Sequence, residues 1–207
     1  MDSCDTMTLI VIDNFFEDPF TVREDALNQN YKSFLDGDLI WPGYRSDASE
    51  LVKEYIIKEI KRLTNEPNLK IGHSSFQYIP EKYNEGSFHV DVPDKYTSII
   101  FLSPNPPDYS GTEVCDDIKD PMSQDYWDKF MPIKRSFIRD GANLQEYDIM
   151  RKQSEEKIIP MLKVPNKFNR MLLFDSHLFH RAQRFFGTNI WNSRLTLTSF
   201  INYGSAN

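Results

Sequence analysis

Cysteine is nearly missing from this 207-residue chain: Cys4 and Cys115 are the only two, and there is no Cys-x-x-Cys pair. A disulfide framework is thereby excluded and a reducing compartment indicated, with both thiols incidental. No apolar run approaches membrane-spanning length. The opening Met1-Asp2-Ser3-Cys4-Asp5 lacks the positive flank and apolar stretch of a secretory leader, so a soluble, cytoplasmic protein is expected. Basic excess is also lacking. Lys and Arg number 24 against 31 Asp and Glu, a formal charge of −7, which disfavours a nucleic-acid partner without excluding a local basic groove. Internal repeats and low-complexity tracts are absent, and histidine occurs only four times.

What is present suits a globular enzyme acting on a small molecule or a peptide. Hydrophobic residues make up 40% and aromatics 14%, and the length fits one domain with a sizeable core. Thr8 to Ile12 reads as a strand, and Asp18-Pro19 as an N-cap with proline at the first helical position, opening a helix to about Tyr31. Gly37 to Ser46, with Trp41-Pro42-Gly43-Tyr44-Arg45, reads as a loop. Its aromatics either line a pocket or pack the loop down, packing being the simpler reading. Between Ala48 and Leu63 the residues Leu51, Val52, Tyr55, Ile56, Ile60 and Leu63 recur at helical spacing. Helical support thus covers about residues 13–66.

Beyond that the period changes. Ile71 to Ile79, His89 to Val92, Tyr96 to Ser103, Gly111 to Cys115, Met161 to Val164, Arg170 to Phe174, Leu178 to Phe186 and Arg194 to Tyr203 are short β-branched and aromatic segments between turn residues. They predict a mainly β, jelly-roll fold with supporting helices, its core spanning about 71–203. Residues 116–160 break the pattern as an insertion, a lid or a flexible excursion, with a helix from about Asn143 to Lys157. In it Lys134, Arg135 and Arg139 form a basic cluster that reads as a solvated face.

The chemistry-bearing residues are few. His89 and Asp91 stand two apart, so on a strand both leave the same face with Val90 packed behind. Such a pair is two thirds of a facial metal site, which needs a third ligand from elsewhere. His180 lies early in a later strand, sharing a face with the small Ala182, whereas His177 falls in the preceding turn. On the next strand Arg194, Thr196 and Thr198 share one face and Leu195, Leu197 and Ile201 the other. Arginine's planar fork suits a carboxylate, although an arginine paired to a surface acid is the alternative.

His-x-Asp, a distal histidine and an arginine one strand later resemble the Fe(II)/2-oxoglutarate-dependent oxygenase superfamily. Tyr109-Ser110-Gly111-Thr112-Glu113 looks like the strand following the first ligand pair in its prolyl-hydroxylase-like branch, and Ile12 to Pro19 is similar to the opening of such domains. The resemblance implies a cupin-like double-stranded β-helix and a hydroxylase using Fe(II), 2-oxoglutarate and O2 to oxidise a C–H bond, with release of succinate and CO2. His89, Asp91 and His180 would be the catalytic metal ligands, and Arg194 the holder of the far carboxylate of 2-oxoglutarate. Tyr78 or Tyr83 would assist Arg194, and Thr196 and Thr198, sharing its face, would hydrogen-bond the co-substrate. Since ligands bind as neutral imidazoles and an ionised carboxylate, iron affinity should fall in acid. A peptide, an amino acid and a small metabolite all remain open as substrates. A nucleic-acid demethylase is disfavoured because no second arginine follows Arg194. A cupin-like metal protein that does not use 2-oxoglutarate, with a structural Arg194, is the alternative.

Overall fold

The computed structural model describes residues 7–33, 41–115, 123–156 and 158–204. Cys4, residues 34–40 of the Trp41 loop and the first part of the 116–160 insertion lie outside them. In chain order the strands are β1 (Leu9–Ile12), β2 (Lys32–Ser33), β3 (Tyr44–Asp47), β4 (Leu69–Ile79), β5 (Tyr96–Phe101), β6 (Thr112–Cys115), β7 (Pro160–Val164), β8 (Met171–Asp175), β9 (His180–Ala182) and β10 (Arg194–Tyr203). The helices are α1 (Pro19–Leu27), α2 (Glu50–Thr64), α3 (Gln124–Asp140) and α4 (Leu144–Glu155). No helix among the described residues is long and apolar enough to cross a membrane.

Seven strands form one antiparallel sheet in the order β1-β8-β5-β10-β4-β3-β2, and three form a second in the order β7-β6-β9. His89 extends the second sheet by an isolated bridge to His180. From β4 onward the chain passes back and forth between the sheets, with only β6 and β7 consecutive neighbours in one of them. This winding is the double-stranded β-helix.

Alternation along each strand decides which residues face which layer. On β10, Leu195, Leu197 and Ile201 join the core with Ala26 of α1 and with Val52, Ile56 and Ile60 of α2. The two helices therefore cover the outer face of the large sheet. Val52, Ile56 and Ile60 recur every fourth residue, and Ile56 and Ile60 are fully buried, whereas Leu51 is exposed. Truncating Ile56 to alanine would cost about 2–5 kcal/mol. The inner face carries Ile99, Phe101, Leu172 and Phe174, packed against Val114 and Val164 of the second sheet.

Several sequence expectations shift at the edges of elements. α1 starts as expected, with the Asp18 side chain accepting from the Thr21 N–H, but it stops at Leu27 because Asn28-Gln29-Asn30 offers nothing apolar to hold against the sheet. The Trp41 loop contains β3, which pairs with β4 as Tyr44↔Tyr78 and Arg45↔Gln77. The expected strands at His89 to Val92 and Leu178 to Phe186 shrink to a single bridge and to three residues.

The described part of the insertion contains two helices where one was expected. Ser123 caps α3, Gly141 ends it in the left-handed region at φ 75°, and Pro132 lies inside it. Charged residues and Pro132 obscure a buried stripe of Tyr126, Phe130, Phe137 and Ile138. This stripe stacks on Tyr147 of α4 and packs against Ile79, Tyr83 and Phe185.

Candidate metal centre

The edge segment before Asp91 is zipped onto β9. The Gly86 N–H donates to the Ala182 carbonyl at 3.0 Å, and His89 and His180 exchange both backbone hydrogen bonds at 3.0 Å. A Cβ at Gly86 would stand 2.8 Å from that Ala182 oxygen, so the close pairing requires glycine. Phe88 and Val90 then turn outward into a cluster with Cys115 and Phe179, while His89 turns inward. Burial pushes the Cys115 thiol up to about 11, which fits an unreactive packing residue.

Opposite positions of a hydrogen-bonded antiparallel pair put their side chains on the same face. The two imidazole centroids are consequently 4.3 Å apart. Each Nδ1 faces a carbonyl oxygen, Ser87 at 2.9 Å for His89 and Leu178 at 3.0 Å for His180. A ring nitrogen facing a carbonyl carries a proton, and this contact directs both Nε2 atoms at Asp91. His89 Nε2 is 3.7 Å from Asp91 Oδ1 and His180 Nε2 is 3.2 Å from Asp91 Oδ2.

Asp91 is held as firmly. Its N–H donates to the Ser176 carbonyl at 2.8 Å. Thr97 Oγ1 donates to its Oδ2 at 2.8 Å and lies 3.0 Å from the Ser176 hydroxyl. Burial alone would raise the Asp91 carboxyl, but His180, then His89 and the Thr97 hydroxyl, hold it below the ordinary carboxylate range. Burial, helped by neighbouring His180, pushes His89 down to about 4. The group is thus an ionised carboxylate with a neutral His89 imidazole. Its three donor atoms lie within 4.8 Å of one another, and two imidazoles with one carboxylate are the donor set of a facial iron site with open positions. The residues fit the metal.

Above them lies a cavity of about 320 Å³, within the small-ligand range. Arg194 borders it, 3% exposed, with burial lowering its guanidinium to about 10. Its Nε donates to the Ser110 carbonyl and its Nη2 to Thr112 Oγ1, both at 3.3 Å. Among the described residues no carboxylate lies within ion-pair distance of it.

The remaining sequence candidates are placed unevenly. Tyr83 is buried and borders the cavity. Tyr78 faces the other way, since its neighbours Gln77 and Ile79 border the cavity while its own ring stacks on Tyr44 at 4.7 Å. Thr198 borders the cavity; Thr196 is fully buried outside its lining, its hydroxyl without a hydrogen-bond partner among the described residues. His177 sits exposed in the turn. The basic cluster divides: Arg135 and Arg139 are exposed, whereas Lys134 borders the cavity, donates to Ser87 Oγ at 2.8 Å and is lowered by burial to about 8.

Sequence reasoning missed Thr97, Ser110, Thr112 and Ser87 as supports, and Arg45 and Gln77 as cavity residues. Trp41 also borders the cavity, its ring 6.0 Å from that of His89, so the packing reading of that loop fails for Trp41 and holds for Tyr44. A signal for Arg45 existed. Pro-Gly ahead of Tyr44-Arg45 marks a turn into a strand, and Gly43 has φ 86° with a Cβ that would meet the Tyr78 oxygen at 2.4 Å.

No family model and no curated protein matches the chain. Among solved structures, HygX from Streptomyces hygroscopicus, with nickel, 2-oxoglutarate and hygromycin B bound, superposes with a TM-score of 0.62 at 11% identity, covering 97% of this chain and 85% of that one. A Pseudomonas putida prolyl-4-hydroxylase gives 0.53 at 14% identity, covering 97% and 95%. SnoK, a non-heme alpha ketoglutarate dependent carbocyclase from nogalamycin biosynthesis, gives 0.57 at 13% identity, covering 95% and 80%. At these identities the likeness is one of architecture, and the chain has the double-stranded β-helix fold of the 2-oxoglutarate-dependent oxygenases.

Proposed function

We propose that the whole chain acts as one Fe(II)- and 2-oxoglutarate-dependent dioxygenase domain, hydroxylating a C–H bond of a peptide, an amino acid or a small metabolite. The observation that carries this reading is the convergence of His89, Asp91 and His180 beside a buried Arg194 that has no acid partner among the described residues. When bound, Fe(II) with 2-oxoglutarate and O2 supplies the oxidation, 2-oxoglutarate leaving as succinate and CO2.

The chain's own residues supply geometry and charge. His89 and His180 hold their Nε2 atoms forward because Ser87 and Leu178 occupy the Nδ1 protons. Asp91 stays ionised under Thr97. Arg194 receives the far carboxylate, its fork steered by Ser110 and Thr112 from the Tyr109–Glu113 segment. Tyr83 and Thr198 border the cavity, unlike Tyr78 and Thr196, which supports them as the tyrosine and threonine that touch the co-substrate. Phe137, Ile138 and Trp127 of α3 border the cavity and shield it from water. HygX with hygromycin B and the prolyl-4-hydroxylase are consistent with a small-molecule or peptide substrate, and the formal charge of −7 disfavours nucleic acid. We place the reaction in the cytoplasm, where a lone thiol such as Cys115 stays reduced.

Anaerobic titration with Fe(II), with and without 2-oxoglutarate, tests this. A weak visible charge-transfer band appearing only with both is expected. Its absence, or its appearance with iron alone, overturns the reading, the second outcome favouring a metal protein that does not use 2-oxoglutarate.

A further inference from the structure

Arg194 has a counterpart. Arg45 of β3 lies opposite Gln77 of β4, which lies opposite Thr196 of β10, so Arg45 shares the cavity face with Arg194. At strand spacing the two backbones stand about 10 Å apart across the sheet and about 7 Å along it. The arginines are separate anchors, and of the two only Arg45 also borders a second cavity of about 470 Å³, with His73, Phe200 and the acids Asp91 and Asp94.

Arg45 is built in and left incomplete. It is 6% exposed, its guanidinium lies 4.3 Å over the Trp41 ring, and its Nη2 donates to Gln77 Oε1 at 3.3 Å. The Gln77 amide is fixed in turn, its Nε2 donating to the Pro42 carbonyl at 3.0 Å. Arg45 Nε has no hydrogen-bond partner among the described residues, and although the Asp91 charge favours the Arg45 guanidinium, no carboxylate among those residues lies within ion-pair distance of it. Lys134, on the same cavity, likewise has none. A buried cation with no acid in ion-pair contact is costly, so these two cations favour an anion between them. Asp91 does not supply it, being engaged by His180 and Thr97. Nor does the co-substrate: Fe(II), Asp91, Arg194 and doubly charged 2-oxoglutarate already balance.

We propose that Arg45, braced by Gln77 and Trp41 and aided by Lys134, binds an anionic group of the substrate, a carboxylate or a phosphate. The inference rests on the dioxygenase reading for the reacting centre. The anion seat itself does not depend on it.

The test is calorimetric titration of the full chain, anaerobically loaded with Fe(II) and 2-oxoglutarate, with inorganic phosphate and separately with acetate. Saturable binding of at least one anion is expected, phosphate or acetate preference naming the group. R45M, which fills the buried space without the charge, should weaken binding by about 10- to 100-fold. R45K should recover part of it, and the band formed with Fe(II) and 2-oxoglutarate should persist in both. No saturable binding to the unsubstituted chain, or equal binding by R45M, overturns the proposal. So does loss of the band in R45M, which would assign Arg45 to the co-substrate. Bromide soaked into crystals of the unsubstituted chain gives a readout independent of variant folding: anomalous density against Arg45 is expected, and density only elsewhere overturns the inference. If the unsubstituted chain forms no band, the dioxygenase reading fails, while titration without iron still reads the seat.

Discussion

His89 and His180 are an antiparallel hydrogen-bonded pair, each donating to and accepting from the other at 3.0 Å. The two nitrogen donors of the candidate metal centre are therefore set by backbone pairing, and a side chain can be removed from either position without breaking the ladder.

His89→Ala and His180→Ala should each fold yet lose iron loading and 2-oxoglutarate turnover. His177→Ala, altering an exposed turn residue, should retain both. Bound iron and succinate release are the measurements, and full activity in His180→Ala would sink the assignment.

Arg194→Gln should raise the 2-oxoglutarate requirement by roughly 10- to 150-fold, the worth of a charge-assisted hydrogen bond at ~1.5–3 kcal/mol. Iron should still bind. Unchanged co-substrate dependence would remove Arg194 from its role.

Thr97→Val keeps shape but deletes the hydroxyl that donates to Asp91 Oδ2 at 2.8 Å. Supports of this kind are typically worth about 10- to 100-fold in metal affinity. Competition with a chelator measures the loss, and affinity equal to that of the unsubstituted chain would show that Asp91 needs no such brace.

Asp13 joins the chain's opening to the sheet through Arg170 at 2.6 Å and Lys167 at 2.7 Å. Its hydrogen bonds to Arg170 and Lys167 lower its pKa from 3.8 to about 2. A depressed carboxyl contributes stability that is fully present above pH 4 and disappears as pH falls through about 2. With the carboxylate one-third exposed, screening leaves roughly 1 kcal/mol of it. Denaturant melts of Asp13→Asn should show that deficit at pH 7 and none near pH 2; a deficit constant with pH would refute the ion-pair origin.

The grouping of the candidate metal ligands was legible because they follow strand order. His89, Asp91, His180 and Arg194 come from short segments whose alternation can be read locally, as on β10, where Leu195 and Leu197 point to the helices and Arg194 and Thr198 to the cavity. Alternation could not separate Thr196 from Thr198, nor Tyr78 from Tyr83, because depth along a strand is fixed by what lies across from it. Arg45 was hidden for a related reason. Its strand is four residues long, too short for a period, and its meaning depends on Gln77, 32 positions away. Lys134 was read as solvated because Pro132 and the surrounding charges concealed the helix that turns it inward.

α3 and α4 enter the chain between β6 and β7, on a stretch that carries none of the candidate metal ligands. They carry Trp127, Met131, Lys134, Phe137, Ile138 and Tyr147 of the cavity wall, while the candidate ligands lie on the segments below. The helical pair is thus an exchangeable cassette: a chimera replacing 123–156 would change what the protein admits while keeping what it does to it.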